Sequence, residues 1–137
     1  MSSEMETVTQ VPIKSDVDIV SARQQGRTLA TQLGFTGSDL TVIATAISEL
    51  ARNIVVYATS GEILLSSARR GSKQGIVIVA RDQGPGIPDI ALAMQDGYST
   101  GKSLGLGLPG ARRLMDEFEI VSEVGTGTTI TMKKWTR

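Results

Sequence analysis

Between Ser38 and Tyr57 the chain carries an apolar stripe at 3.6-residue spacing: Leu40, Ile43, Ala44, Ile47, Leu50, Ala51 and Ile54. A helix of that length with one apolar face must lie on another layer, and the flanking sequence offers both helix and sheet. Upstream, Thr7 to Lys14 alternates through Val11 and Ile13, and Pro12 marks that strand as an edge. Ser15 or Asp16 then caps a first helix running to Leu33 and stopped by Gly34. Val17, Val20, Leu29 and Leu33 are expected to face inward on it.

Downstream, Gly61 opens a strand through Leu65, Arg69 to Gly75 reads as a hairpin loop, and Ile76 to Ala80 as a central strand. A short helical piece around Ile90 to Met94 precedes a glycine-rich stretch from Asp96 to Gly110. Pro109 suits the first turn of a helix expected to bury Leu114, Met115 and Phe118. Strands Ile120–Val124 and Thr128–Lys133 flank a tight Gly125-Thr126-Gly127 turn. This order implies the α+β class: a two-layer sandwich with a mixed, mostly antiparallel sheet and helices on one face. Residues 1–137 read as one domain, with no repeat, linker or low-complexity tract.

Composition removes whole classes of chemistry. Fourteen basic residues balance fourteen acidic ones, so no net field attracts nucleic acid or an anionic membrane. No apolar run matches a membrane span and the polar Met1–Thr9 is no signal peptide, so a cytoplasmic protein is expected. There is no cysteine and no histidine. Catalysis must therefore use carboxylates, lysine or a hard oxygen-bound cation such as Mg²⁺. A phospho-accepting histidine is ruled out on the same ground. Nine of the 15 glycines fall between Gly84 and Gly127, where the backbone must approach something closely or turn sharply.

Two familiar phosphate motifs fail on inspection. Gly97 to Ser103 ends like a P-loop, but Asp96 stands where the first glycine belongs and a helical piece, not a strand, precedes it. Gly105-Leu-Gly107-Leu-Pro-Gly110 spells the dinucleotide fingerprint, yet no strand leads into it. What survives is an anion-binding loop ahead of a helix.

Four local features carry the remaining chemistry. Glu49 and Asn53 lie one helical turn apart, on a face roughly opposite the core stripe, with Val42, Ala46 and Val56 nearby. They form either a solvated polar face or a pocket wall with an apolar rim. Asp82-Gln-Gly84-Pro-Gly86-Ile87 follows the central strand; it is either a common turn or an aspartate ready for an exocyclic amine, with glycines admitting a flat ring. Gly101 to Gly110 is a plain loop or a lid with Lys102 available to phosphate. Gly125 to Thr128 is by itself a hairpin turn.

Taken in order, Glu49-Leu-Ala-Arg52-Asn53, Asp82-Gln-Gly84-Pro-Gly86, Gly105-Leu106-Gly107-Leu and Gly127-Thr128 resemble the N, G1, G2 and final threonine boxes of the GHKL (Bergerat-fold) ATPases. That superfamily includes gyrase B, heat-shock chaperone ATPases, histidine-kinase catalytic domains and bacterial serine kinases of the sigma-factor switches. The resemblance implies ATP and Mg²⁺ as cofactors. It makes Asn53 the Mg²⁺ ligand, Glu49 the general base and Asp82 the adenine anchor, helped by Thr128 through a water. Gly84, Gly86 and Ile87 shape the base pocket, Gly101, Gly105, Leu106 and Gly107 form the lid, and Lys102 and Arg52 are candidate phosphate contacts.

Ser48 to Asn53, Asp82 to Asp89, and Gly107 through Gly110 to Phe118 resemble most nearly the switch-kinase group of the stressosome. Such a likeness implies a lone catalytic domain that phosphorylates a serine on a STAS-domain scaffold or antagonist, then activates a PP2C-type phosphatase or its regulatory domain on release. An anti-sigma factor of the same fold is the second reading. Those relatives commonly carry a histidine soon after the asparagine, where this chain has Val55, Val56 and Tyr57. A non-catalytic nucleotide-dependent module and a free-standing ATPase are the remaining alternatives.

Overall fold

Gly71 turns the chain at a φ of 61°, a backbone conformation that glycine adopts without penalty, and a long hairpin grows from it. In the computed structural model, which describes residues 8–58, 60–86 and 107–136, strands Gly61–Arg70 and Lys73–Asp82 pair antiparallel along their full length. In chain order the elements are β1 Thr9–Ile13, α1 Asp16–Gln32, α2 Ser38–Tyr57, β2 Gly61–Arg70, β3 Lys73–Asp82, α3 Gly107–Leu114, β4 Glu117–Glu123 and β5 Gly127–Trp135. The five strands form one sheet in the order β1-β2-β3-β5-β4, and every pairing is antiparallel. The expected α+β sandwich is what the chain forms, with a sheet that is antiparallel throughout the described residues where a mixed, mostly antiparallel one was expected.

One face of the sheet is dry. Ile63 and Leu65 of β2, Ile76, Ile78 and Ala80 of β3, and Ile130 and Met132 of β5 are each no more than 3% exposed. Each large aliphatic side chain so placed contributes about 1.5–3 kcal/mol relative to staying in water. Against them lies the stripe of α2. By length and composition alone α2 could cross a membrane, yet Ile43, Ile47, Leu50 and Ile54 are spent inside this core.

Four expectations are corrected. Val17 and Val20 point outward, and Ile19, Ala22, Gly26 and Ala30 are the buried face of α1. Small residues there let α1 approach α2 so closely that a Cβ on Gly26 would collide with the end of Ile47. Hydropathy favoured the valines, whereas the close approach required the small residues. The loop expected over Arg69–Gly75 shrinks to the turn at Gly71-Ser72, with Arg69, Arg70, Lys73, Gln74 and Gly75 in the ladder. The third helix, Gly107–Leu114, buries Leu108 and Ala111; Met115 is buried as expected but lies past the helix end, Leu114 is half-buried, and Phe118 belongs to β4. Finally, of the two readings of the α2 face bearing Ala46 and Glu49, the solvated one falls, both residues being no more than 6% exposed.

Candidate functional site

Glu49 owes its position to the middle of α2, where the helix is covered on several sides. It is 6% exposed, a costly place for a carboxylate unless its oxygens are satisfied. Both are. Oε1 accepts the backbone N–H of Gly107 at 2.9 Å, and Oε2 accepts Arg52 Nη1–H at 2.9 Å. Gly107 has φ 69° and opens α3, so the donor is one of the unpaired amides at a helix start. A bond across 58 residues thus ties the glycine-rich segment to α2. From the other side, Glu49 and Arg52 line an open groove of about 820 Å³ between α1 and α2, with Val20, Arg23 and Ser48.

One turn further along, Asn53 is half-buried. Among the described residues its carboxamide has no hydrogen-bond partner, which leaves the oxygen open to a ligand. Hard oxygen donors of this kind suit Mg²⁺, which keeps waters and phosphate oxygens as its other ligands.

The second pole of the site is built where β3 ends. Asp82 stands across the ladder from Gly61 on β2 and Thr128 on β5. Strand alternation puts its side chain on the helix-covered face with Ile76, Ile78 and Ala80. Oδ1 accepts the N–H of Gly84 at 2.9 Å, an Asx-type turn that fixes the carboxylate. Tight packing surrounds it. A Cβ on Gly61 would strike the Arg81 carbonyl, and one on Gly127 the Asp82 carbonyl. Gly84 presses on the end of α2, where a Cβ would come within 2.6 Å of Ala58 Cβ. Gly86, at φ 81°, lies against the Glu123 carbonyl, and Gly125 N–H donates to the Pro85 carbonyl at 2.9 Å. The loop after β3 is thereby clamped between α2 and the β4–β5 turn.

Thr128 is buried, and its hydroxyl pairs with that of Ser122 at 2.8 Å. Sequence reasoning did not bring Ser122 or Gly61 to the site, because strand register alone places them at this corner. Both poles hang on α2: Gly107 reaches Glu49, and Gly84 reaches Ala58. Those residues are nine apart, about 13 Å along a helix, a span suited to an extended nucleoside triphosphate. The structure thus gathers Glu49, Arg52, Asn53, Asp82, Gly84, Gly86, Gly107 and Thr128 along one helix and the adjoining sheet end. Ile87, Gly101, Lys102, Gly105, Leu106 and the helical piece at Ile90–Met94 lie outside the described residues.

Comparison with known proteins agrees with this architecture. Residues 14–134 match the family model described as a histidine kinase-like ATPase domain. The chain is 54% identical over 127 residues to a serine/threonine-protein kinase, RsbT, of Bacillus subtilis, covering 93% of this chain and 96% of that one. It is 35% identical over 111 residues to an anti-sigma F factor of Geobacillus stearothermophilus, covering 75% and 74%. Among solved structures, the RsbU and RsbW domains of Rv1364c from Mycobacterium tuberculosis superpose with a TM-score of 0.63 at 22% identity, over 96% of this chain and 33% of that one. A mycobacterial sensor histidine kinase, MprB, superposes at 0.56 and 15% identity, over 96% and 99%. The chain therefore belongs to the histidine kinase-like (GHKL) ATPase domain family, as an ATP-dependent enzyme of its serine/threonine-protein kinase branch.

Proposed function

We propose that this kinase transfers the γ-phosphoryl group of Mg-ATP to a serine of a STAS-domain partner, as the catalytic member of a cytoplasmic partner switch. On release from that partner it activates a PP2C-type phosphatase. The reading is carried by one observation: Glu49 and Asn53 stand one turn apart beside the start of α3, with Asp82 at the far end of the same helix.

In this mechanism the exocyclic amine of adenine donates to the carboxylate of Asp82, whose turn to Gly84 already fixes its direction. Thr128 contributes through a bridging water, and Gly84, Gly86 and Ile87 admit the ring. The triphosphate runs along α2 toward Glu49, covered by Gly101, Lys102, Gly105, Leu106 and Gly107. Asn53 would hold Mg²⁺, which when bound screens the charge that builds on the phosphate oxygens. The serine oxygen attacks the γ-phosphorus, its proton passes to Glu49, and ADP leaves with the β–γ bridging electrons. Glu49 can do this while its present hydrogen bonds persist, since each carboxylate oxygen has two lone pairs.

The test is transfer of label from γ-labelled ATP to purified STAS-domain and sigma-factor partners. Label on a STAS serine, lost in Asn53→Ala together with Mg-dependent ATP binding, is the expected result. Stable retention of a sigma factor as the chain's main activity, without release from its phosphorylated antagonist to a phosphatase, would favour the anti-sigma reading instead.

A further inference from the structure

The two donors that hold Glu49 are unlike. Gly107 reaches it from another element, 58 residues away, whereas Arg52 sits three residues along the same helix, paired at 2.9 Å. Asn53 is the next residue on α2. Arg52, Glu49 and Asn53 therefore share one rigid frame, and Arg52 is the donor that belongs to it.

We propose that Arg52 is a positioning residue: its guanidinium pins Oε2 of Glu49 so that Oε1 stays turned toward Gly107, where phosphate and acceptor meet. This rests on the reading of Glu49 as the base and goes beyond it, because it gives Arg52 a partner other than ATP. Two features support it. Glu49 is nearly buried while the Arg52 side chain is 36% exposed along the α1–α2 groove, so the arginine screens the open side of the carboxylate. An unpinned glutamate has three side-chain torsions, and a general base works only within hydrogen-bond reach of its proton. A residue acting this way changes the rate of the chemical step. A phosphate contact would change ATP affinity instead.

The experiment measures steady-state transfer to a phosphorylatable partner and ADP affinity for wild type, Arg52→Ala, Arg52→Lys, Glu49→Gln and the Arg52→Ala/Glu49→Gln double variant. Arg52→Ala should lower kcat about 10- to 100-fold, by analogy with the loss of a partner that orients a metal ligand. KM for ATP and ADP affinity should stay within about twofold. Arg52→Lys, which can restore one charged hydrogen bond, should recover much of the loss. In the Glu49→Gln background Arg52→Ala should add almost nothing, since residues acting as a unit are not additive. Should Arg52→Ala fold poorly, Arg52→Gln keeps the stem and is read the same way.

A raised KM for ATP with kcat retained would make Arg52 a phosphate contact and overturn the proposal. So would independent, multiplying effects of the two substitutions. The two readings fail differently. Full activity in Glu49→Gln removes the base itself, whereas an impaired Glu49→Gln beside a fully active Arg52→Ala removes only the role given to Arg52.

Discussion

Gly86 lies where no other residue could. Its φ is 81°, and a Cβ would stand 2.5 Å from the Glu123 carbonyl oxygen. Gly86→Ala should cost about 1–3 kcal/mol of stability, the range for a side chain forced into left-handed backbone, and loosen the clamp around Asp82. Urea unfolding gives the first quantity and nucleotide titration the second; wild-type values for both would contradict the packing described. Asp82→Asn keeps the turn to Gly84 but loses the charge that favours the adenine amine. Its expected signature is weaker ATP and ADP binding with little change in folding, and undiminished affinity would remove Asp82 as the anchor. At this scale the site was legible where spacing fixes geometry. Glu49 and Asn53 share a helix face because any i, i+4 pair does. Ser122 was not legible, because it reaches Thr128 only once β4 and β5 are in register.

Among the elements, α2 was readable to its ends because its stripe is built of large aliphatics. The case of α1 is different. Its inner face is Ile19, Ala22, Gly26 and Ala30; the last three are small residues that carry little hydropathy signal beside Val17 and Val20, and their value is the close approach of two helices. A branched side chain should expose that. Gly26→Val drives atoms into Ile47 and should destabilise the fold by about 1–3 kcal/mol. Adding Ile47→Ala, itself costly alone, should then cost less than the sum, because the second change vacates the space the first one needs. Strictly additive losses in denaturant melts would mean the two residues do not share that space. The β2–β3 hairpin was underestimated for a related reason: Ser66, Ser67 and the paired arginines are polar by composition but held in the ladder by register.

For the whole molecule, sheet end, α2 and the start of α3 converge on one nucleotide, so Mg-ATP should stabilise the fold as a unit. Linkage gives about 2.7 kcal/mol at a hundredfold excess over Kd, a shift of several degrees in Tm that Asn53→Ala should largely abolish. Element order made the α+β class readable, and box order the family. Which partner receives the phosphate depends on surfaces that no motif encodes. The proposed mechanism gives the buried carboxylate of α2 the proton of the acceptor. Single-turnover transfer by Glu49→Gln, at ATP concentrations that saturate both proteins, tests it most directly. The account predicts unimpaired ATP binding with transfer slowed about 10²- to 10⁴-fold, the contribution of a general base. Transfer at the wild-type rate would contradict it.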